Sequence, residues 1–229
     1  MSLHHYLYYS RPLQSRGYVH IDTPMVTMND CEGAGEAFSI ATTSSTGEEF
    51  FDKKNVYLSV SGQLHLEAME HMTCLRCIAE GPPFPRVPYA EALQLLIDKE
   101  QKVTGRGFTK QNESFLVNYH NSPIFITHFP VDQKPFYMRR SADEKVTESF
   151  DLLCPVVGEL AGGSIREPSL DALQKRSPNI DWYLELRERG KPISGGFGLG
   201  FERLLQFLLG VPNIKDTIPF PRWYKHCQC

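Results

Sequence analysis

The sequence predicts an α+β fold, and three observations carry that reading. Apolar residues recur at helical spacing in two places, Phe201, Leu204, Leu205 and Leu208, and Ala92, Leu93, Leu95 and Leu96. β-rich stretches run from Pro123 to Phe129 and from Pro135 to Met138, and strand-like residues from Phe150 to Arg166. The glycine-rich stretch Gly195-Gly196-Phe197-Gly198-Leu199-Gly200 superficially looks like a dinucleotide fingerprint. Such a fingerprint opens a βαβ unit with more parallel sheet to come, and only 29 residues follow Gly200.

With 229 residues, 41% of them apolar, the chain can bury a substantial core and fits one large domain better than two small ones. A net charge of −3 excludes a global basic field of the kind that marks many nucleic-acid binders, though a local basic surface stays open. No run of about 18 apolar residues exists, so no membrane-spanning helix is predicted. The start has neither a signal peptide's apolar core nor the Arg/Ser richness of a transit peptide. Six scattered cysteines are too few for a disulfide scaffold and fit a reducing compartment. His71, Cys74 and Cys77 have metal-like spacing, and His226, Cys227 and Cys229 could complete a zinc site, but neither fragment has the form of a paired CxxC module.

Taken in order, residues 4–16 are aromatic and basic, with Pro12 interrupting any helix. Gly17 to Pro24 alternates as a short strand does, and Pro24 ends it. Asn29 to Phe38 interleaves carboxylates with small residues; it is either an ordinary acidic turn or a loop presenting a carboxylate to a ligand's ammonium group. A polar loop at 41–49 leads to a strand near Val56–Val60, which passes through Ser61-Gly62 into a helix beginning near Gln63. Gly81-Pro82-Pro83-Phe84-Pro85-Arg86 is an extended connector, followed by a helix from about Tyr89 to Lys102. Around the strands near Phe150–Arg166 stand two acids, Asp151 and Glu159, and Arg166. Charge among buried residues implies mutual pairing or ligand chemistry. A short helix spans Asp181 to Glu188, closed by Gly190. The last helix follows the glycines and stops at Gly210 and Pro212. Two readings of that end stay open. The glycines serve helix–strand packing and Arg203 is solvated or salt-bridged, or Arg203 grips a phosphate in bidentate fashion.

Together these segments resemble the catalytic domain of class II aminoacyl-tRNA synthetases, most closely the asparaginyl enzymes of bacterial or mitochondrial type. Thr23-Pro24 looks like the end of the first family motif, which forms a dimer interface. Gly195 to Arg203, with Asn213 to Asp216 and Ile218 to Arg222, looks like the third. The resemblance implies an antiparallel sheet flanked by helices and extends from residue 17 to the end, with residues 1–16 as a separate, poorly determined segment. It implies ATP, magnesium, asparagine and tRNA(Asn) as ligands, a homodimer built through the first motif, and a mitochondrial matrix or cytoplasmic location.

Residue by residue, the resemblance gives Arg203 the phosphate end of ATP, lets Gly198 and Gly200 shape the adenosine site, and has Glu159 with Asp151 hold magnesium. It assigns Glu32 and Gln63 to the amino acid's ammonium end and Arg166 to its carboxyl or side-chain end, with Ser61 also in the substrate site. Related aspartyl enzymes carry a lysine where this chain has Leu66, so Leu66 cannot pair an aspartate side chain. Glu67 beside it would accept an amide NH₂ and repel a second carboxylate.

The second family motif, a strand pair whose arginine holds the α-phosphate, has no counterpart. The expectation is that the chain passes from about residue 72 directly to a segment that lies far downstream in relatives, leaving the sheet incomplete. The anticodon-binding barrel is also missing, Ser194 stands for the usual histidine and Ile165 for the usual glutamine. Three functions follow: an asparagine–tRNA ligase catalytic domain, a catalytically inactive synthetase-like binding protein or truncated isoform, and a tRNA-independent asparagine synthetase on the same fold.

Overall fold

Alternation, capping and glycine stops divide the chain into seven short strands and six α-helices among the described residues. A computed structural model describes residues 14–15, 17–28, 37–41, 56–73, 84–105, 107–177, 180–223 and 225–226. In chain order the elements are β1 (Val26–Thr27), β2 (Tyr57–Leu58), α1 (Gln63–Thr73), β3 (Arg86–Pro88), α2 (Tyr89–Asp98), α3 (Lys110–His120), β4 (Ile124–Thr127), β5 (Ser149–Cys154), β6 (Gly158–Ile165), α4 (Leu170–Arg176), α5 (Asp181–Glu188), β7 (Gly195–Leu199) and α6 (Phe201–Leu209). They fall into two compact units, Ile78–Glu167 with Ile193–Cys229, and Ser2–Cys77 with Pro168–Pro192.

The first unit is a five-stranded sheet in the order β3-β4-β5-β6-β7 with α2, α3 and α6. β3 and β4 run parallel, and the other pairs are antiparallel. Tyr89, Ala92 and Leu96 of α2 pack with Leu116 and Val117 of α3, Ile124 and Ile126 of β4, Phe129, and Leu153 of β5. Burying a leucine or isoleucine there stabilises by about 1.5–3 kcal/mol. A second cluster, Cys154, Val157 and Leu160, receives Leu204 and Phe207 of α6. Helix α2 stops at Asp98, short of Lys102, because the chain turns through a left-handed Glu100 (φ 55°). Helix α3 was not predicted. Its buried residues are Leu116, Val117 and the polar Asn112, with Phe115 half-buried against the same core, a weak apolar period. It is instead held by a capping box, in which Thr109 accepts from the Asn112 amide while Asn112 Oδ1 accepts from the Thr109 backbone N–H at 3.0 Å.

The second unit holds the β1–β2 pair and helices α1, α4 and α5. Val56, Leu64, Leu173, Ile180, Tyr183 and Leu184 are buried. The strand expected at 17–24 is not formed: residues 18–24 have no regular structure, and pairing begins after Pro24, at Val26. Proline supplies no N–H to a ladder. Pro135–Met138, expected to be β-rich, is a turn that touches the sheet only through the Met138–Arg166 bridge. Helices α5 and α6 have the predicted bounds, each followed by a glycine at positive φ, Gly190 and Gly210.

Candidate functional site

The register of the first unit aligns Ile126 (β4), Asp151 (β5), Gly162 (β6) and Gly198 (β7) in one row across the sheet. Residues opposite one another share a face, so Asp151 stands beside two glycines on open floor. Glu159 is three residues before Gly162, and strict alternation would send it to the other face. The pairing shifts between Leu152 and Leu153, however, and this bulge brings Glu159 opposite Leu153 and onto the face of Asp151. A Cβ built on Gly162 would lie 3.0 Å from Asp151 Oδ1 and 3.1 Å from Glu159 Oε1. Glycine at 162 is thus what lets the two carboxylates lean in together.

A third carboxylate, Glu113 of α3, reaches into the same cavity as these two. Its Oε2 accepts from the Glu159 backbone N–H at 3.3 Å. Gly158 (φ 71°) makes this possible, since a Cβ there would sit 2.2 Å from that oxygen. One cation answers them directly: Lys134 Nζ donates to both Asp151 oxygens at 2.7 Å and sits 3.9 Å over the Phe129 ring. Burial raises Asp151 above its ordinary carboxylate range, with Lys134 opposing and Glu159 adding. Burial also raises Glu113, against the Glu159 N–H bond and with Glu159 repulsion. These groups line a cavity of about 380 Å³ together with Phe129 and Gln133.

Arg203 lies across Gly200, whose Cβ would meet its stem at 3.4 Å, and Nη1 donates to the Glu159 carbonyl. Its guanidinium is exposed at the edge of the acidic face. Arg166 is buried; Nη1 donates to Ser164 Oγ at 3.2 Å, the guanidinium stacks 4.7 Å from the Tyr137 ring centre, and a Cβ on Gly196 would sit 2.9 Å from Nη2. The first unit therefore brings together Asp151, Glu159, Arg203, Gly198 and Gly200. Glu113 and Lys134 were missed; the Thr109-x-x-Asn112 cap would have located α3 and with it Glu113.

For magnesium, the donor chemistry fits. Both carboxylates are hard oxygen ligands on one face, and magnesium is commonly held by one or two carboxylates plus substrate phosphates. Among the described residues no cluster of three or more Asp, Glu, His or Cys side chains forms a cage for a metal. Cys74, Cys77, Cys227 and Cys229 lie outside the described residues, as does Glu32.

In the second unit Gln63 opens α1, and its N–H donates to Ser61 Oγ at 3.2 Å. Glu67, one turn on, requires a correction. Its carboxylate accepts from Tyr183 Oη at 2.6 Å and Arg187 Nη2 at 2.7 Å, with Lys191 Nζ at 2.8 Å, and the Glu67, Arg187 and Lys191 side chains are each 2% exposed. A carboxylate 2% exposed and held by two cations and a phenol is turned into this unit's interior, and its charge is more than neutralised. Burial together with the Glu67 charge pushes the Tyr183 phenol far up, so it serves as donor throughout. Glu67 is a structural residue of this unit.

A family model described as tRNA synthetases class II (D, K and N) matches residues 70–224. An asparaginyl-tRNA synthetase of Mus musculus is 33% identical over 306 aligned positions, covering 93% of this chain and 64% of the mouse protein. A Dictyostelium discoideum protein named "Probable asparagine–tRNA ligase, mitochondrial" is 30% identical, with 93% and 65% covered. Among solved structures, asparaginyl-tRNA synthetase from Pyrococcus horikoshii, complexed with asparaginyl-adenylate, superimposes with a TM-score of 0.78 at 25% identity, covering 93% of this chain and 65% of that one. The chain thus spans a little under two thirds of the length of such relatives. Because 93% of 229 residues is stretched over 306 positions, about 90 positions of the mouse alignment face gaps in this chain.

Proposed function

The chain belongs to the class II tRNA synthetases (D, K and N), and from that membership we propose that it is the catalytic part of an asparagine–tRNA ligase, activating asparagine with ATP for transfer to tRNA(Asn). The observation that carries this reading is the bulged face on which Glu159 and Asp151 stand side by side over Gly162 with Arg203 at its edge. A polyphosphate needs a planar cation and hard anions that recruit a divalent ion, and this face offers both.

In this reading Arg203 binds the terminal phosphates, the bare backbone at Gly198 and Gly200 admits the adenosine, and Asp151 and Glu159 hold magnesium. Magnesium, when bound, neutralises the triphosphate. Gln63 and Glu32 receive the ammonium group of asparagine, and Arg166 its carboxyl or side-chain end, with Ser61 also in the substrate site. The substrate carboxylate attacks the α-phosphorus, the α–β phosphoanhydride bond breaks and pyrophosphate leaves, so the protein contributes position and charge stabilisation and no nucleophile of its own. Selectivity against aspartate rests on Leu66, which offers no cation to a second carboxylate. Homodimerisation through the region of Thr23-Pro24 belongs to the same reading. So does a matrix location, supported by the Dictyostelium discoideum relative and testable by cell fractionation.

One observation favours a second reading, a synthetase-like chain that binds nucleotide or amino acid without completing activation. About 90 positions of the mouse alignment face gaps in this chain, room enough for a lost second motif, and losing even one donor aimed at a developing charge typically costs about 10²–10³ in rate. Asparagine-dependent ATP–pyrophosphate exchange separates the two. The proposal expects exchange by the purified chain, abolished by Arg203→Ala. Exchange only after the missing segment is restored from a relative would establish the second reading instead.

A further inference from the structure

We propose that Lys134 is an internal counterion that makes divalent-metal binding at Asp151 conditional on the nucleotide's triphosphate. The inference rests on the reading of this face as the magnesium–ATP site. Its basis is geometric. Lys134 does not merely approach Asp151 but covers it, with 2.7 Å to each carboxylate oxygen, and both side chains are about one-seventh exposed or less, at 15% and 13%. The ammonium is held from the other side by the Phe129 ring at 3.9 Å. A cation in that position satisfies the carboxylate that a metal would need, and a dication arriving beside it meets like charge at short range.

Three carboxylates, Glu113, Asp151 and Glu159, face the same cavity. Without an internal cation their mutual repulsion would splay them off Gly162, or draw in any available dication. Lys134 prevents both. It favours the ionised form of Asp151 against the burial that opposes it, keeps the carboxylate aimed along the sheet face in the nucleotide-free chain, and lowers affinity for a metal that arrives alone. A triphosphate brings negative charge that offers Lys134 another partner and releases Asp151. Metal and nucleotide then bind with positive coupling, and by reciprocity each strengthens the other by the same factor. Lys134 is in this sense a positioning residue: it acts through Asp151.

The test uses Mn²⁺ as the probe, its binding followed by electron paramagnetic resonance on the whole chain, with and without ATP and without amino acid. Wild type should bind Mn²⁺ weakly alone and much more tightly with ATP. Lys134→Gln should bind Mn²⁺ alone at least about tenfold tighter than wild type, with the ATP enhancement reduced by a similar factor, because one like charge and one charge-assisted bidentate pair are gone. Lys134→Arg, which keeps the charge, should behave as wild type, and Asp151→Asn should lose the tight site. Equal or weaker Mn²⁺ binding by Lys134→Gln, while Asp151→Asn still loses it, would overturn the role of Lys134 and leave the site standing. Mn²⁺ binding by none of these proteins, even with ATP, would overturn the site reading and this proposal with it. Should Lys134→Gln not fold, Lys134→Met is read in the same titration: it too must bind Mn²⁺ alone more tightly than wild type, and equal or weaker binding overturns the proposal.

Discussion

Replacing Glu67 by Gln distinguishes its structural role from a role in binding substrate. The carboxylate sits between Arg187 and Lys191 at 2.7 and 2.8 Å, and each of the three side chains is 2% exposed. Removing its charge takes the carboxylate charge away from two buried cations, whereas the Tyr183 hydroxyl can still donate to the amide oxygen. Breaking one partner of a buried ion pair costs about 3–5 kcal/mol, and the lower end applies here because glutamine keeps hydrogen bonds. For a chain of this size 1 kcal/mol moves the melting temperature by roughly 2–4 °C, so Glu67→Gln should melt about 6–12 °C below wild type. Thermal unfolding followed by far-ultraviolet circular dichroism measures this, at both low and high salt, since a buried pair is little screened. A shift under about 2 °C, accompanied by weaker asparagine binding, would refute the structural assignment and return Glu67 to the substrate.

Two further substitutions probe the acidic face. Glu113 is raised above its ordinary value of 4.5 by burial and by Glu159, so the folded state holds the proton more tightly than the unfolded one. Its contribution to stability is therefore greatest below that ordinary value and is lost as pH rises through the folded value. Glu113→Gln, whose amide oxygen can still accept from the Glu159 N–H, should melt higher than wild type at pH 7 and lose that advantage toward pH 4; a lower melting temperature at pH 7 would contradict the repulsion described. Gly162→Ala would put a methyl 3.0 Å from Asp151 Oδ1 and 3.1 Å from Glu159 Oε1. It should weaken magnesium–ATP binding at least about tenfold by isothermal titration calorimetry while leaving the circular dichroism spectrum unchanged. Unaltered binding would mean that the two carboxylates do not act together.

Much of the sheet face was legible because its chemistry is local. The glycines before Phe201, the period of α6 and its Gly210 stop lie within one short stretch, and the acids Asp151 and Glu159 stand in runs of strand-forming residues. What the sequence did not reveal depends on geometry that alternation cannot encode. Glu159 reaches the right face only through a shift between Leu152 and Leu153, and nothing in Leu152-Leu153-Cys154 signals a bulge. Glu67 was recognisable as a charge near a binding helix, but Arg187, which neutralises it, lies 120 residues away, so its burial was invisible. Two glycines of β6, which the sequence reading did not single out as a pair, have different roles in the sheet. Gly163 would press a Cβ to 2.7 Å from Phe197 and is there for packing, whereas Gly162 makes room for the two acids. Helix α3 was missed because a buried Asn112 breaks its apolar period, and with it went Glu113.

The central claim is that the bulged face and the start of α6 hold the phosphates of a nucleotide. Calorimetric titration of magnesium–ATP into the purified chain and into Arg203→Ala tests it directly. Arg203 is exposed and, among the described residues, its side chain makes one hydrogen bond, to the Glu159 carbonyl, so its loss should not disturb the fold. The account predicts measurable binding by the wild type and a loss of at least about tenfold on substitution, the range for one charge-assisted pair. Equal affinity in both proteins would contradict it.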